Sequence, residues 1–377
     1  MKWAAILALA TAALPAAASA SAYSDFERGI SAFNDHDGAG VISAMSAALS
    51  NPELPATLKP AALVDRAYAY TRQQKYDLAV ADYTACLTLE PGNYLAHMER
   101  GAVFALRKDF ELARTDFAEA MRIRPDLPTP YVDHARTFLA QRKFDDALKD
   151  YADGLAASWW TLEFYLLRSE AYRRSGRYPE AIKEDDTALS RYADYADAFA
   201  MRGRAKDDSG DMKGAFADYD KAAALGEEGP LFLLIEGAAQ WKIGNFQEAE
   251  RVFKRAKEKD AYLLIWTYLA QAKQRWVSNK LAAQASAIDA ANWPGPVVKL
   301  VAGTGSVDEV RDFVAKEHDT ELHNTLTCEA DFYTGEWQLL HDDPVGGKQL
   351  LSEASTTCEL GSTERGAAVA ELGRLQR

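Results

Sequence analysis

Residues 75–91, KYDLAVADYTACLTLEP, return with altered letters as DFELARTDFAEAMRIRP at 109–125 and, more loosely, as KFDDALKDYADGL at 143–155. Aligned on one small residue, Ala79, Ala113, Ala147, Ala181, Ala215, Ala249 and Ala283 fall 34 residues apart. A fixed period of this length is the signature of stacked repeat units. Other positions keep the register. Three residues earlier stand Tyr76, Phe110, Phe144, Tyr178, Met212 and Phe246; four later stand Tyr83, Phe117, Tyr151, Asp185, Tyr219 and Phe253. Seven later stand Cys86, Ala120, Gly154, Ala188, Ala222 and Ala256. Offsets of this kind share one helix face. Twelve residues before each of the first six alanines comes Ala67, Gly101, Ala135, Ser169, Gly203 or Gly237, on a preceding helix. Turns such as RRSGRY (173–178) and KIGNF (242–246) join the two. Each unit is expected to be two antiparallel helices, with small residues allowing close approach and aromatics filling the gap.

These residues resemble the tetratricopeptide-repeat family. Pro91 and Pro125 fill its late proline position, while Trp159 and Tyr192-Ala193 depart from it. The resemblance implies an all-α, right-handed superhelical solenoid of antiparallel helix pairs. The expected organisation is a leader at 1–22, a divergent helix pair at 23–59, seven units at 60–291 and a C-terminal segment at 292–377.

A charged series follows the same period. Arg66, Arg100, Arg168 and Arg202 precede the small residue of the first helix, with His134 and Glu236 breaking the series. Asp82, Asp116, Asp150, Glu184 and Asp218 precede the aromatic of the second. The expectation is salt bridges that fix repeat geometry; the alternative is a charged ligand track.

The chain has 377 residues, 48% hydrophobic and 26% charged, with net charge −13. A nucleic-acid binder would need a basic stripe, so that class is disfavoured. The start differs from the rest. MKW, the apolar AAILALATAALPAAA and the small-residue ASA read as a cleaved secretory signal. No cysteine follows for lipid attachment. The expected location is periplasmic or secreted, with no stable membrane span after cleavage.

The register falters at NWPGPVVKLVAGTGS (292–306), where Pro294, Gly295 and Pro296 stop a helix. A short apolar segment and a small helix, SVDEVRDFVAKE, follow. TLTCEADFYTGEWQLLHDDPVGGKQLLSEASTTC then reads as one more helical pair, with Gly335, Gly347 and Ala354 in small-residue slots. STERGAAVAELGRLQ is the expected capping helix. Cys328 and Cys358 lie at neighbouring ends of that hairpin, so a disulfide is expected there, two buried thiols being the alternative. Cys86 is expected to be a buried thiol. The last 110 or so residues resemble the NlpI-type periplasmic tetratricopeptide lipoproteins of Gram-negative bacteria. That implies an NlpI-like helical cap and an adaptor for peptidoglycan hydrolases and a protease.

No catalytic or metal constellation emerges, and no enzyme or cofactor is expected. HDTELH (318–323) reads as a solvated helix start, GTGS (303–306) lacks a phosphate-loop context, and DHDGAG (35–40) is too short for a calcium loop. A stacked array instead offers a wall of first helices. The candidate protein-binding residues on it are Tyr68, Arg72, Met98, Arg136, Glu170, Arg173, Arg204, Asp207 and Trp241. Arg174 and Asp197 stand nearby. Arg136, Arg173 and Arg204 either form a track for an acidic or C-terminal partner segment or pair with Glu170, Asp197 and Asp207. Val64, Tyr68, Met98 and Ala102 occupy the slots where chaperone-binding relatives carry a Lys/Asn clamp, which disfavours a chaperone-tail receptor. The expectation is a non-enzymatic scaffold for envelope proteins, with a homodimer left open. One alternative is an assembly or secretion factor for polysaccharide export or pili. Another is a glycan or small-ligand binder near Trp266, Trp276 and Trp337.

Overall fold

The computed structural model describes residues 20–157, 161–257, 259–278, 281–289 and 291–377. Residues 1–19 of the expected leader, and Trp159, lie outside them. The described residues are helical, with no strand among them. The chain divides into two compact units, Met1–Thr161 and Leu162–Arg377. The first holds α1 (Ala20–Asn34) and α2 (Gly38–Ser50), α3 (Lys59–Arg72) and α4 (Tyr76–Leu89), α5 (Tyr94–Leu106) and α6 (Phe110–Ile123), and α7 (Thr129–Ala140) and α8 (Phe144–Ala157). Each helix packs on the next. The second begins with α9 (Thr161–Arg174) and α10 (Tyr178–Arg191), α11 (Ala196–Ser209) and α12 (Met212–Ala224), and α13 (Pro230–Lys242) and α14 (Phe246–Phe253). It continues with α15 (Ala261–Lys273), α16 (Leu281–Ala285), α17 (Gly295–Val301), α18 (Val307–Ala315), α19 (Thr320–Leu340), α20 (Pro344–Thr357) and α21 (Thr363–Arg374).

The repeat register explains where helices begin. α4, α6, α8, α10, α12 and α14 each start at the large apolar residue three places before the aligned alanine. Two residues ahead of each start, the backbone turns left-handed at Gln74, Lys108, Arg142, Gly176, Gly210 and Gly244. This residue reverses the chain between the helices of a pair. Glycine adopts it without steric cost, and the three long polar side chains do so at some expense.

The alanines from Ala79 to Ala249 are fully buried. Tyr83, Phe117, Tyr151, Tyr219 and Phe253 fill the space between helices, each stabilising its unit by roughly 2–3 kcal/mol through burial. Their rings lie against the preceding helix. A Cβ added to Gly101, Gly203 or Gly237 would come within 2.8, 2.6 or 2.1 Å of the rings of Phe117, Tyr219 or Phe253. In the fourth unit both partners change together: Ser169 replaces glycine, Asp185 replaces the aromatic, and the Ser169 hydroxyl donates to Asp185 at 2.8 Å.

The charged series is a ladder of ion pairs. Arg66 grips Asp82 with two bonds of 2.7 Å. Arg100 holds Asp116 with two of 2.8 Å, Arg202 holds Asp218 at 2.8 and 2.6 Å, and Arg168 reaches Glu184 at 2.7 Å. The same guanidinium also reaches the second helix of the preceding pair: Arg66 to Ser46, Arg100 to Thr84 and Arg202 to Asp186. Each of these three arginines thus joins three helices. His134, which breaks the series by residue type, keeps its geometry by bonding Asp150 at 2.6 Å. Glu236 reverses the polarity and takes Arg255 at 2.8 Å.

The period ends before Ala283. That residue is exposed in the five-residue α16, and Ala287 stands where an aromatic would close the unit. Besides the short α16, α15 packs on α17 and α19. VVKLV is helical in α17, where Pro296 suits a first helical turn, and its four apolar side chains are buried while Lys299 is exposed. α19 begins before Cys328, since Asp319 caps it by accepting from the amides of Glu321 and Leu322. α19 and α20 approach with Gly335 and Gly347 in backbone contact. Cys328 and Cys358 are joined, with Cα atoms 5.0 Å apart; Cys86 is a buried free thiol. α21 does more than end the stack: it folds back on α13 and α19 as well as α20.

Candidate functional site

Within the first unit, α3, α5 and α7 pack directly on one another, so the first helices of the pairs line the inner side of the stack. Tyr68 is half-buried, its ring 5.5 Å from Phe33. Arg72 and Arg136 are exposed, Arg136 pairing with Asp133 at 3.0 Å. Met98 is not a surface residue. It is buried with Ala113, Phe117 and Ala120, because its place on α5 turns toward α6.

Three carboxylates escaped the sequence reading, although they recur every 34 residues: Asp65, Glu99 and Asp133. Burial lifts the Asp65 carboxyl to about 6. It also raises Glu99, with the charge of Asp133 adding to it, and raises Asp133 against the pull of Arg136.

Within the second unit the predicted residues converge, but on one another. Arg173 is 4% exposed. It donates to Glu170 at 2.9 and 2.8 Å, to Asp208 at 2.7 Å and to the Gly361 carbonyl at 2.9 Å. Arg204 lies 3.9 Å from Glu170. Asp207 takes the Lys242 ammonium at 2.6 Å. Asp197 is exposed in the first turn of α11. Burial pushes Glu170 up, but Arg173, Arg204 and Arg174 outweigh it and hold the carboxyl below its ordinary range. Burial, with the neighbouring charge of Arg173, lowers Arg204.

This wall is covered by the chain itself. Arg174 reaches Glu359 at 3.3 Å. Arg374 donates to the carbonyls of Trp241 and Lys242, at the C-terminus of α13. Lys273 bridges Glu336 and Glu371 at 2.9 and 2.5 Å. The cleft left among Arg204, Asp207, Lys242 and Ser362 measures about 20 Å³, room for roughly one water. Arg173 and Arg204 are therefore pairing residues of a filled surface, not an open acidic-peptide track. Trp241 is fully buried between Phe246 and Trp266, with ring centroids at 4.7 and 5.5 Å, so it too is core.

The tryptophans considered for a ligand pocket scatter. Trp266 is in the core, its indole donating to Tyr333 at 3.2 Å. Trp276 is exposed under Lys254, and Trp337 stacks on His341 at 4.0 Å. Among the described residues no group of three or more His, Cys, Asp and Glu is placed to hold a metal, and no helix is long and apolar enough to cross a membrane.

The model of the tetratricopeptide repeat matches residues 64–128, 132–197 and 200–263, more than half of the chain. The chain belongs to the tetratricopeptide-repeat family, whose fold is typically a non-catalytic scaffold for protein interactions. No curated protein sequence matches it significantly. Among solved structures it is similar to a tetratricopeptide repeat protein from Parabacteroides merdae, at 17% identity and TM-score 0.52, over 67% of this chain and 99% of that one. It is also similar to PilW, described as a widely conserved type IV pilus biogenesis factor, at 20% identity and TM-score 0.43, over 52% and 91%. A third is YrrB, described as a tetratricopeptide protein with an unusual peptide-binding site, at 17% identity and TM-score 0.39, over 50% and 96%. The first of these likenesses supports the fold.

Proposed function

We propose that this protein is a non-enzymatic scaffold that holds envelope proteins in the periplasm of a Gram-negative bacterium, through the inner face of its first unit. The observation that carries the reading is the contrast between two similar surfaces. The wall of α9, α11 and α13 is engaged by residues 359–374 of the same chain. On α3 and α7, Arg72 and Arg136 stand exposed. Stacked helix pairs present such faces to extended or helical partner segments. The signal-like start supports export, and the NlpI-like tail supports peptidoglycan hydrolases or a processing protease as partners.

The test places a photoreactive residue at Arg72 or Arg136 in the full-length chain expressed in a Gram-negative host, with exposed Val345 on α20 as the control position. Discrete adducts with envelope proteins at the first two sites and none at the control are expected. Adducts only at the control, or none at any site, would remove the inner face of the first unit from consideration.

A further inference from the structure

The last helix, α21, turns two acids inward. Its buried residues are Glu364, Ala367, Ala368 and Glu371. The apolar part of that face is two alanines, so little hydrophobic area holds the helix in place. α19, on which it packs, carries acids at the same spacing: Glu329 and Glu336 stand seven residues apart, as Glu364 and Glu371 do. The charge of Glu329 acts on Glu364, and that of Glu371 acts on Glu336. Carboxyl therefore meets carboxyl twice across one helix interface.

The first pair has only neutral donors. Glu364 accepts from the Tyr333 hydroxyl of α19 at 3.0 Å, and that hydroxyl accepts from the Trp266 indole of α15. Glu329 is half-buried and accepts from the Tyr262 hydroxyl of α15 at 3.0 Å and from the Trp293 indole at 2.7 Å. Among the described residues no cation acts on either carboxyl. Arg365 is spent on the Cys358 carbonyl, and Lys242 of α13 on Asp207. α20 turns only Gly347, Leu350, Leu351 and Ala354 inward. Two such acids cannot both ionise at low cost, and a proton held between them removes the conflict. The second pair is partly compensated: Lys273 bridges Glu336 and Glu371, and Arg374 also reaches Glu371. Glu336 is nevertheless fully buried. Burial and the neighbouring carboxylate raise Glu336 and Glu364 to about 7, and burial raises Glu329 against the bonds from Trp293 and Tyr262.

The chain ahead of α21 suits a swing. Cys358 is bonded to Cys328 of α19, which fixes the end of α20. Gly361 follows with φ at +80°, and a glycine between a fixed point and a helix absorbs backbone rotation at little cost. We propose that α21 is a pH-sensitive latch. It is closed while the pairs Glu329–Glu364 and Glu336–Glu371 each hold a proton. On losing those protons it is released about Gly361, which uncovers the C-terminal end of α13 and the cleft of Arg204, Asp207 and Lys242. The latch concerns the second unit alone and is independent of the scaffold reading of the first.

Linkage fixes the direction. Docked α21 binds protons more tightly than released α21, whose carboxyls return to their ordinary value of 4.5. Docking is therefore strongest below that value and weakens as pH rises to about 7. One carboxyl raised to about 7 makes docking about tenfold weaker at pH 8 than at pH 6. Glu336 adds in the same direction.

The test is amide hydrogen exchange on the full chain with its disulfide intact, at pH 6 and pH 8, each rate corrected for the intrinsic effect of pH. Exchange in α21 is expected to be about tenfold or more faster at pH 8, while α13 and α19 keep their protection. Glu364→Gln keeps an acceptor for Tyr333 and removes the buried charge. It is expected to cut that acceleration by about tenfold. Glu329→Gln removes the opposing charge from the other helix and is expected to act in the same direction, so the test stands if one variant fails to fold. Equal protection of α21 at the two pH values would overturn the proposal. Loss of protection shared by α13 and α19 would mean that the whole unit opens, and would overturn it too. So would an acceleration that neither variant reduces.

Discussion

Gly203 and Tyr219 show how one atom sets the distance between two helices. A Cβ at 203 would sit 2.6 Å from the Tyr219 ring and 3.3 Å from the Ala215 carbonyl. Both neighbours are held in a filled core. Gly203→Ala is expected to cost about 1–3 kcal/mol through overpacking, read as a lower midpoint in urea unfolding. Asp185 is the opposite case, a carboxylate in an aromatic slot. Burial raises its pKa well above the usual range, opposed by Ser169 and Arg202 and reinforced by Asp186 and Glu184. The folded state binds the proton more tightly than the unfolded state, so stability falls as pH rises above about 4. Asp185→Asn keeps an acceptor for Ser169 and removes the buried charge. It is expected to raise stability at pH 7 by about 1 kcal/mol or more and to flatten its decline with pH. A lower melting temperature at pH 7 would contradict this account.

At the scale of the helix, the arginine ladder ties each pair to its neighbour. Arg66 is the cation that grips Asp82, and Asp82 is 7% exposed. Arg66→Ala leaves a buried carboxylate without its partner and is expected to cost about 3 kcal/mol, measurable by chemical denaturation. A loss under 0.5 kcal/mol would mean water replaces the guanidinium. The period made this ladder legible in the sequence, including its acid partners. It did not make His134 legible as a member, because residue type hid a conserved geometry of contact: an imidazole reaches Asp150 from the same slot. Nor did it reveal that Met98 faces inward, since helix rotation relative to a neighbour is set by packing. The series Asp65, Glu99 and Asp133 was equally periodic, but the burial that raises these carboxyls is a tertiary property.

At the scale of the whole chain, the C-terminal helices hold the second unit by contacts far apart in sequence. The Cys328–Cys358 bond closes a loop with a sequence separation of 30. Chain entropy alone assigns such a closure about 3–4 kcal/mol. Reduction, or Cys328→Ser, is expected to lower the melting temperature of the full chain and to speed proteolysis within α19–α21. Identical melts with and without reductant would show that packing on α13 and α15 carries the stability. Glu364 adds a pH term. Burial and the charge of Glu329 raise it to about 7, against the hydrogen bond from Tyr333, so this region is most stable on the acid side of neutrality.

The 34-residue period, the helix pairs and the alternation of small and aromatic residues were determined by the sequence alone. They depend on contacts within a unit and between adjacent units, and such contacts leave a repeating imprint. Only the tertiary structure decided which inner surface is filled and which is open. Arg173 meets the Gly361 carbonyl across 188 residues, and Arg374 reaches the end of α13 across 133. Contacts of that range carry no period. They arise when one particular segment, stapled and capped, buries its own apolar and charged groups on a wall that local rules could build but could not cover.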